Sequence, residues 1–108
     1  MDREWSIWTA AKKGDEESLS EIVDGGTDVN IQNINSEAPL HLSSGNGHLK
    51  CVKSLLKRNA YANAVDRYKM SPLHHACEGG HLEVAKYLIY HGALTHSEDE
   101  VNFAFKCI

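Results

Sequence analysis

Seven histidines and three cysteines are the side chains of this sequence best equipped to hold a metal or perform chemistry. Cys77-x3-His81 and His41-x6-His48-x2-Cys51 fall within loose metal-ligand spacings. Neither supplies the paired C-x2-C and H-x3-H arrangement that closes a tetrahedral shell around structural zinc. The histidines instead recur at a fixed step, His41 on His74 and His48 on His81, each 33 residues apart. Residues that recur with a period are placed by a repeating scaffold, so no metal is expected. Catalysis would need a nucleophile beside a base, or carboxylates gathered in a cleft. Phosphate chemistry would show a Gly-x-x-x-x-Gly-Lys loop. The sequence shows none of these, so it reads as no enzyme and as binding no cofactor.

The step of 33 carries the whole chain. Ser71-Pro72-Leu73-His74-His75-Ala76-Cys77-Glu78-Gly79-Gly80-His81-Leu82 answers Ala38-Pro39-Leu40-His41-Leu42-Ser43-Ser44-Gly45-Asn46-Gly47-His48-Leu49. A weaker copy lies upstream, with Trp8 on His41, Gly14 on Gly47, Leu19 on Val52 and Asn30 on Asn63. Pro39 and Pro72 lack an amide hydrogen and hold φ near the helical value, which suits the first turn of a helix. Ser71 is a good N-cap and Ala38 a poor one. The helix opened at Pro72 is expected to end near Glu78, at Gly79-Gly80. A second helix follows from His81, with Leu82, Ala85, Leu88 and Ile89 as its apolar stripe. Gly92, Asn59 and Gly25-Gly26 supply the left-handed residue after the second helix of each unit. Helices this short are marginal alone. Their stripes must therefore bury against neighbouring units, for which about three units are the minimum.

A period of 33 with a Pro-Leu-His-x-Ala box is the ankyrin signature, and the chain resembles the ankyrin-repeat family over nearly its whole length. The resemblance implies an all-α solenoid of stacked helix-turn-helix units joined by β-turn or hairpin fingers. It divides one domain, residues 1-108, into repeats at about 1-33, 34-66 and 67-98, with a C-terminal stub at 99-108. It implies that the box and Gly-His histidines are structural, their ring nitrogens bonding backbone between neighbouring loops. Asn33, Asp66 and Asp99 share one phase and suit an Asx turn at each fingertip. Where consensus repeats carry glycine, this chain has Ser36, Lys69 and Asn102, so some backbone strain is expected. Ser43 and Ser44 replace a usual alanine pair, each with a hydroxyl able to bond a carbonyl one turn back. Cys77, at a small-residue helix position, reads as a buried thiol.

Residues 1-33 read as a capping repeat: Ile7, Ala10 and Ala11 face the second unit, and Lys12, Lys13, Asp15, Glu16 and Glu17 keep the outer side wet. Trp5 and Trp8 are assigned to packing. Val101, Phe103, Phe105 and Ile108 of the stub could fold back as a makeshift cap; a truncated, adhesive end is the alternative.

The resemblance also implies recognition of a protein partner by the concave finger and first-helix face, as adaptor or inhibitor. The positions so assigned are Lys12 and Lys13, then Ile34, Asn35, Glu37, Gly45 and Asn46, then Arg58, Arg67, Tyr68, Met70 and Glu78. The turn Asp66-Arg67-Tyr68-Lys69-Met70 is the most binding-like, because Tyr and Arg are common interface anchors. Its basic and aromatic groups suggest a partner with an acidic or mixed surface. A monomer is the expectation; a competing role is structural, with chains stacking end to end through an incompletely capped repeat. Asn30 resembles an asparagine that hydroxylases modify in ankyrin repeats. The formal charge of -4 argues against a general nucleic-acid binder. No apolar run approaches the roughly 20 residues of a membrane span. The opening Met1-Asp2-Arg3-Glu4-Trp5 has no apolar signal core, and three cysteines suit a reducing compartment. A cytoplasmic or nuclear location is the expectation.

Overall fold

The computed structural model describes residues 6–92. The expected stub and its cap, Trp5, and the fourth-unit positions Asp99 and Asn102 lie outside them. Six α-helices and no strands are found among the described residues: α1 Ile7–Lys13, α2 Glu16–Asp24, α3 Pro39–Gly45, α4 Leu49–Lys57, α5 Pro72–Glu78 and α6 Leu82–Tyr90. α3 and α4 recur as α5 and α6 at the 33-residue step. The first helices α1, α3 and α5 pack side by side in one row, and α2, α4 and α6 form a second row behind it.

The helix ends follow from single residues. Ser6 Oγ accepts from Thr9 N at 3.2 Å and Asp15 Oδ1 from Ser18 N at 3.1 Å, which caps α1 and α2. Ser71 Oγ accepts from His74 N at 3.3 Å. Ala38 has no side-chain acceptor, as its composition dictates. His41 and His74 act as the reciprocal N3 residue of a capping box, Nδ1 accepting the N-cap amide of Ala38 at 3.0 Å and of Ser71 at 3.1 Å. Asn59 takes φ 70° and Gly26 φ 117° behind their helices, as expected.

One core runs through both rows. Ile7, Ala10, Ala11, Leu40, Leu73 and Ala76 contribute from the first row, and Leu19, Val52, Leu55, Val84, Ala85 and Leu88 from the second. Burial of Ile7, Ala10 and Ala11 against α3 matches the expected inner side of the first unit. The α6 stripe is shifted. Val84, Ala85 and Leu88 are its buried residues, whereas Leu82 and Ile89 are only half-buried. Cys51, Val52 and Leu55 repeat the pattern in α4. A second-row helix touches both its own first helix and a neighbouring second-row helix, α5 and α4 in the case of α6, so its buried strip centres between those contacts.

Two small-residue expectations are corrected. Ser43 Oγ donates to Leu40 O at 3.3 Å, but the buried Ser44 Oγ finds no partner. Cys77 is half-buried and not a free thiol. Among the described residues Cys51 is the free, buried thiol, and burial pushes its pKa up to about 11.

Candidate protein-binding face

The periodic histidines are consumed by backbone contacts. His41 Nδ1 accepts an amide hydrogen, so the ring is neutral with its proton on Nε2. That proton lies between the Ala64 and Met70 carbonyls, at 3.0 and 3.1 Å. Burial, with the neighbouring His75, holds the His41 pKa below its ordinary value. The Gly-His residues point the other way along the stack. His48 Nε2 reaches Lys12 O at 2.9 Å and His81 Nε2 reaches Gly45 O at 3.0 Å. Their rings pack closely against the preceding unit: a Cβ on Gly14 would meet His48 Nδ1 at 2.6 Å, and one on Gly47 would meet His81 Nδ1 at 2.5 Å. Asn30 makes a further tie, its Oδ1 accepting from Tyr61 N at 2.7 Å.

The turns between units are built on the two Asx residues. Asn33 Oδ1 accepts from Asn35 N and Glu37 N, both at 2.9 Å. Asp66 Oδ1 accepts from Tyr68 N at 2.9 Å and Met70 N at 3.0 Å. Ser36 and Lys69 carry φ of 60° and 64°, the positions where strain was expected. Asp66 is buried, and its Oδ2 also lies 2.9 Å from His75 Nε2. Burial alone would raise its pKa, but the Met70 and Tyr68 amides and His75 outweigh that and hold the carboxyl below the ordinary carboxylate value. Glu37, Asp66 and His75 offer ligand atoms within 4.8 Å of one another. The Asp66 oxygens of this group already accept three hydrogen bonds.

The assigned residues separate into three groups. Asn35 and Arg67 are brought together: Arg67 N donates to Asn35 O at 3.0 Å and Nη1 to Asn35 Oδ1 at 3.2 Å, joining successive turns. The guanidinium lies 5.5 Å from the Tyr68 ring centre. On these joined turns Ile34 is 91% exposed and Tyr68 69% exposed. Glu37 and Met70 sit deeper. The Glu37 side chain accepts from Asn33, and Met70 gives its amide to Asp66 and its carbonyl to His41. Lys12, Lys13, Asn46 and Glu78 are exposed at the ends of α1, α3 and α5, and Gly45 is half-buried beneath His81. Arg58 stands apart. It closes α4 in the second row, where Nε is 3.1 Å from Asp24 Oδ1 and Nη1 is 2.6 Å from Ser54 Oγ.

Sequence reasoning missed the Asp66–His75 pair. The available signal was that His75 departs from the repeat, since Leu42 holds the equivalent position and Asn33 stands in place of Asp66.

Paired short helices, tied unit to unit by histidine and Asx side chains, define a helical-repeat protein whose polar machinery serves the stack itself. The description of three ankyrin repeats matches residues 7–99, and the chain belongs to the ankyrin-repeat family. It is 34% identical over 58 residues to "Serine/threonine-protein kinase 12" of Arabidopsis thaliana, a match covering 54% of this chain and 13% of that protein. It is 33% identical over 61 residues to "E3 ubiquitin-protein ligase KEG" of the same plant, covering 56% of this chain and 4% of that protein. The chain thus spans only a small part of the curated relatives it matches. Ankyrin repeats are in general protein–protein interaction modules, and the family is generally non-catalytic.

Proposed function

We propose that the chain is a non-catalytic module that grips a protein partner with its inter-unit turns and first-helix ends, as adaptor or inhibitor. The observation that carries this reading is the division of labour at the turns. Asn33, Asp66 and His41 hold the turns together, while Ile34 and Tyr68 stand on the same joined turns with most of their apolar surface in water. Large apolar and aromatic groups held on a rigid base fit interface anchors. Arg67 and Lys69, with Lys12 and Lys13 at the α1 end, favour a partner with an acidic or mixed surface.

The test is capture of partners from lysate on the immobilised chain, beside Ile34→Ala/Arg67→Ala/Tyr68→Ala. A specific partner lost in the triple variant, with helicity unchanged, supports the reading. A partner retained by the variant moves the site elsewhere.

A further inference from the structure

The opposite side of the molecule carries a feature the stack does not require. Lys50, Lys53 and Lys57 lie at i, i+3 and i+7 along α4, so they form one stripe, and all three are exposed. The 33-residue step shows that the scaffold does not demand lysine there. The equivalent residues are Glu17, Ser20 and Asp24 in α2, and Glu83, Lys86 and Tyr90 in α6. Like charges stacked on one helix face repel, and none of these lysines is in an ion pair among the described residues.

The stripe borders an open groove running from α4 to the end of α6, with Leu56, Ala60 and Ala62 among its lining residues. Tyr61, 60% exposed, and Tyr87 line the same groove. The Tyr87 ring is 4.0 Å from the His91 ring and has Lys53 Nζ 5.5 Å from its centre. Arg58 at the groove edge is neutralised by Asp24, which leaves the lysines as the cations of the groove without an ion-pair partner among the described residues.

We propose that this groove is a second docking surface, for an acidic peptide segment that interleaves carboxylates with apolar side chains. The carboxylates would meet Lys50, Lys53 and Lys57, and the apolar residues the tyrosines and the floor between them. The surroundings select a short peptide over a long polyanion. Glu16 of α2 lines the groove, Asp24 of the same helix meets its edge through Arg58, and α2 also carries Glu17 and Glu21. A nucleic-acid backbone or an anionic bilayer would extend beyond the lysines onto that acidic helix and be repelled.

The probe is a fluorescein-labelled peptide of alternating Glu and Leu, followed by anisotropy with the full chain at low salt. The expected result is saturable binding that weakens as salt rises. Lys50→Ala/Lys53→Ala/Lys57→Ala should weaken it about tenfold, the combined effect of three exposed ion pairs. The Glu-reversal triple should abolish it, and a Lys-Leu peptide should not bind. Ile34→Ala/Arg67→Ala/Tyr68→Ala should leave it unchanged, which separates this surface from the turn face. No binding, equal binding by the lysine variants at unchanged helicity, or loss in the turn variant instead would overturn the proposal. So would sedimentation with phosphatidylserine vesicles in the absence of peptide binding, which would assign the stripe to lipid.

Discussion

Trp8 makes for the first unit the bond that His41 makes for the second. Trp8 Nε1 donates to the Glu37 carbonyl at 3.2 Å, and His41 Nε2 lies 3.1 Å from the Met70 carbonyl, each partner being 29 residues along the chain. An indole N–H and a neutral imidazole N–H are both donors on a flat ring, so either can lock a helix to the following turn. Trp8 lacks only the acceptor nitrogen, and in its unit Ser6 Oγ caps the helix instead.

The two locks should differ in worth. Trp8→Phe removes one half-buried donor and is expected to cost about 1 kcal/mol. His41→Phe strands the Ala38 amide and the Ala64 carbonyl at a buried site, while the Met70 carbonyl keeps the Asp66 amide, and should cost about 3 kcal/mol. Urea unfolding of both variants measures the difference. Equal losses would mean that His41 acts only by filling space.

The neutral state of His41 sets a pH dependence. Its folded pKa lies below the ordinary 6.5, so the unfolded chain binds more protons as pH falls beneath that value. The His41 contribution should therefore be constant from neutrality upward and fall as pH drops through 6.5 toward the folded pKa. Asp66 adds a second loss at lower pH. Its folded pKa is below 3.8, so its contribution is present above that value and disappears as pH falls through the folded pKa. Thermal melts across this range, with His41→Gln as the control that flattens the first step, provide the check.

How far these relationships could be read from sequence depends on their range. Pro39 and Pro72, the Asx residues and the glycines dictate conformation within a turn of themselves, so helix starts and turn positions were legible. The structural duty of His41 and His48 was legible through resemblance. The Asn35–Arg67 bond and the Asp66–His75 pair come from how far one unit is offset from the next. That offset depends on packed side-chain volumes; it leaves no local signal for the Asn35–Arg67 bond, and for the Asp66–His75 pair only the departure of His75 from the repeat. The resemblance placed Arg58 on the concave partner face. Its partner Asp24 lies 34 residues away, a relation that appears only once α2 and α4 lie side by side.

Gly47 and Gly80 separate backbone strain from ring contact. Both have positive φ, 75° and 74°, but a Cβ on Gly80 meets nothing within 4 Å while one on Gly47 strikes the His81 ring. Gly80→Ala should cost about 1 kcal/mol, the left-handed penalty. Gly47→Ala should cost that plus the His81–Gly45 bond, about 2 kcal/mol in all. Matching losses would show that the ring moves aside freely.

Lys69 at φ 64° invites the reverse change. Glycine there removes the left-handed penalty of about 1–2 kcal/mol but frees the unfolded chain by about 0.5–1 kcal/mol. Lys69→Gly should raise stability by about 0.5 kcal/mol and leave the Asp66 turn intact. A lower melting temperature would indicate that the lysine side chain compensates for its own strain.

Ser44 carries the clearest stabilising change. Its hydroxyl is buried without a partner, while the equivalent position in the first unit is Ala11, also fully buried. A desolvated hydroxyl with no hydrogen bond costs about 1–3 kcal/mol. Ser44→Ala removes that cost, lowers the competition for helix carbonyls and leaves a space only one oxygen in size. The expected gain is about 1 kcal/mol, read as a higher urea midpoint at unchanged slope. Ser43→Ala is the contrast, because Ser43 Oγ already bonds Leu40 O and its loss should be close to neutral. If Ser44→Ala destabilised the chain, the hydroxyl would have to be bonded in solution, and the packing of α3 against α5 would need to open enough to admit its partner.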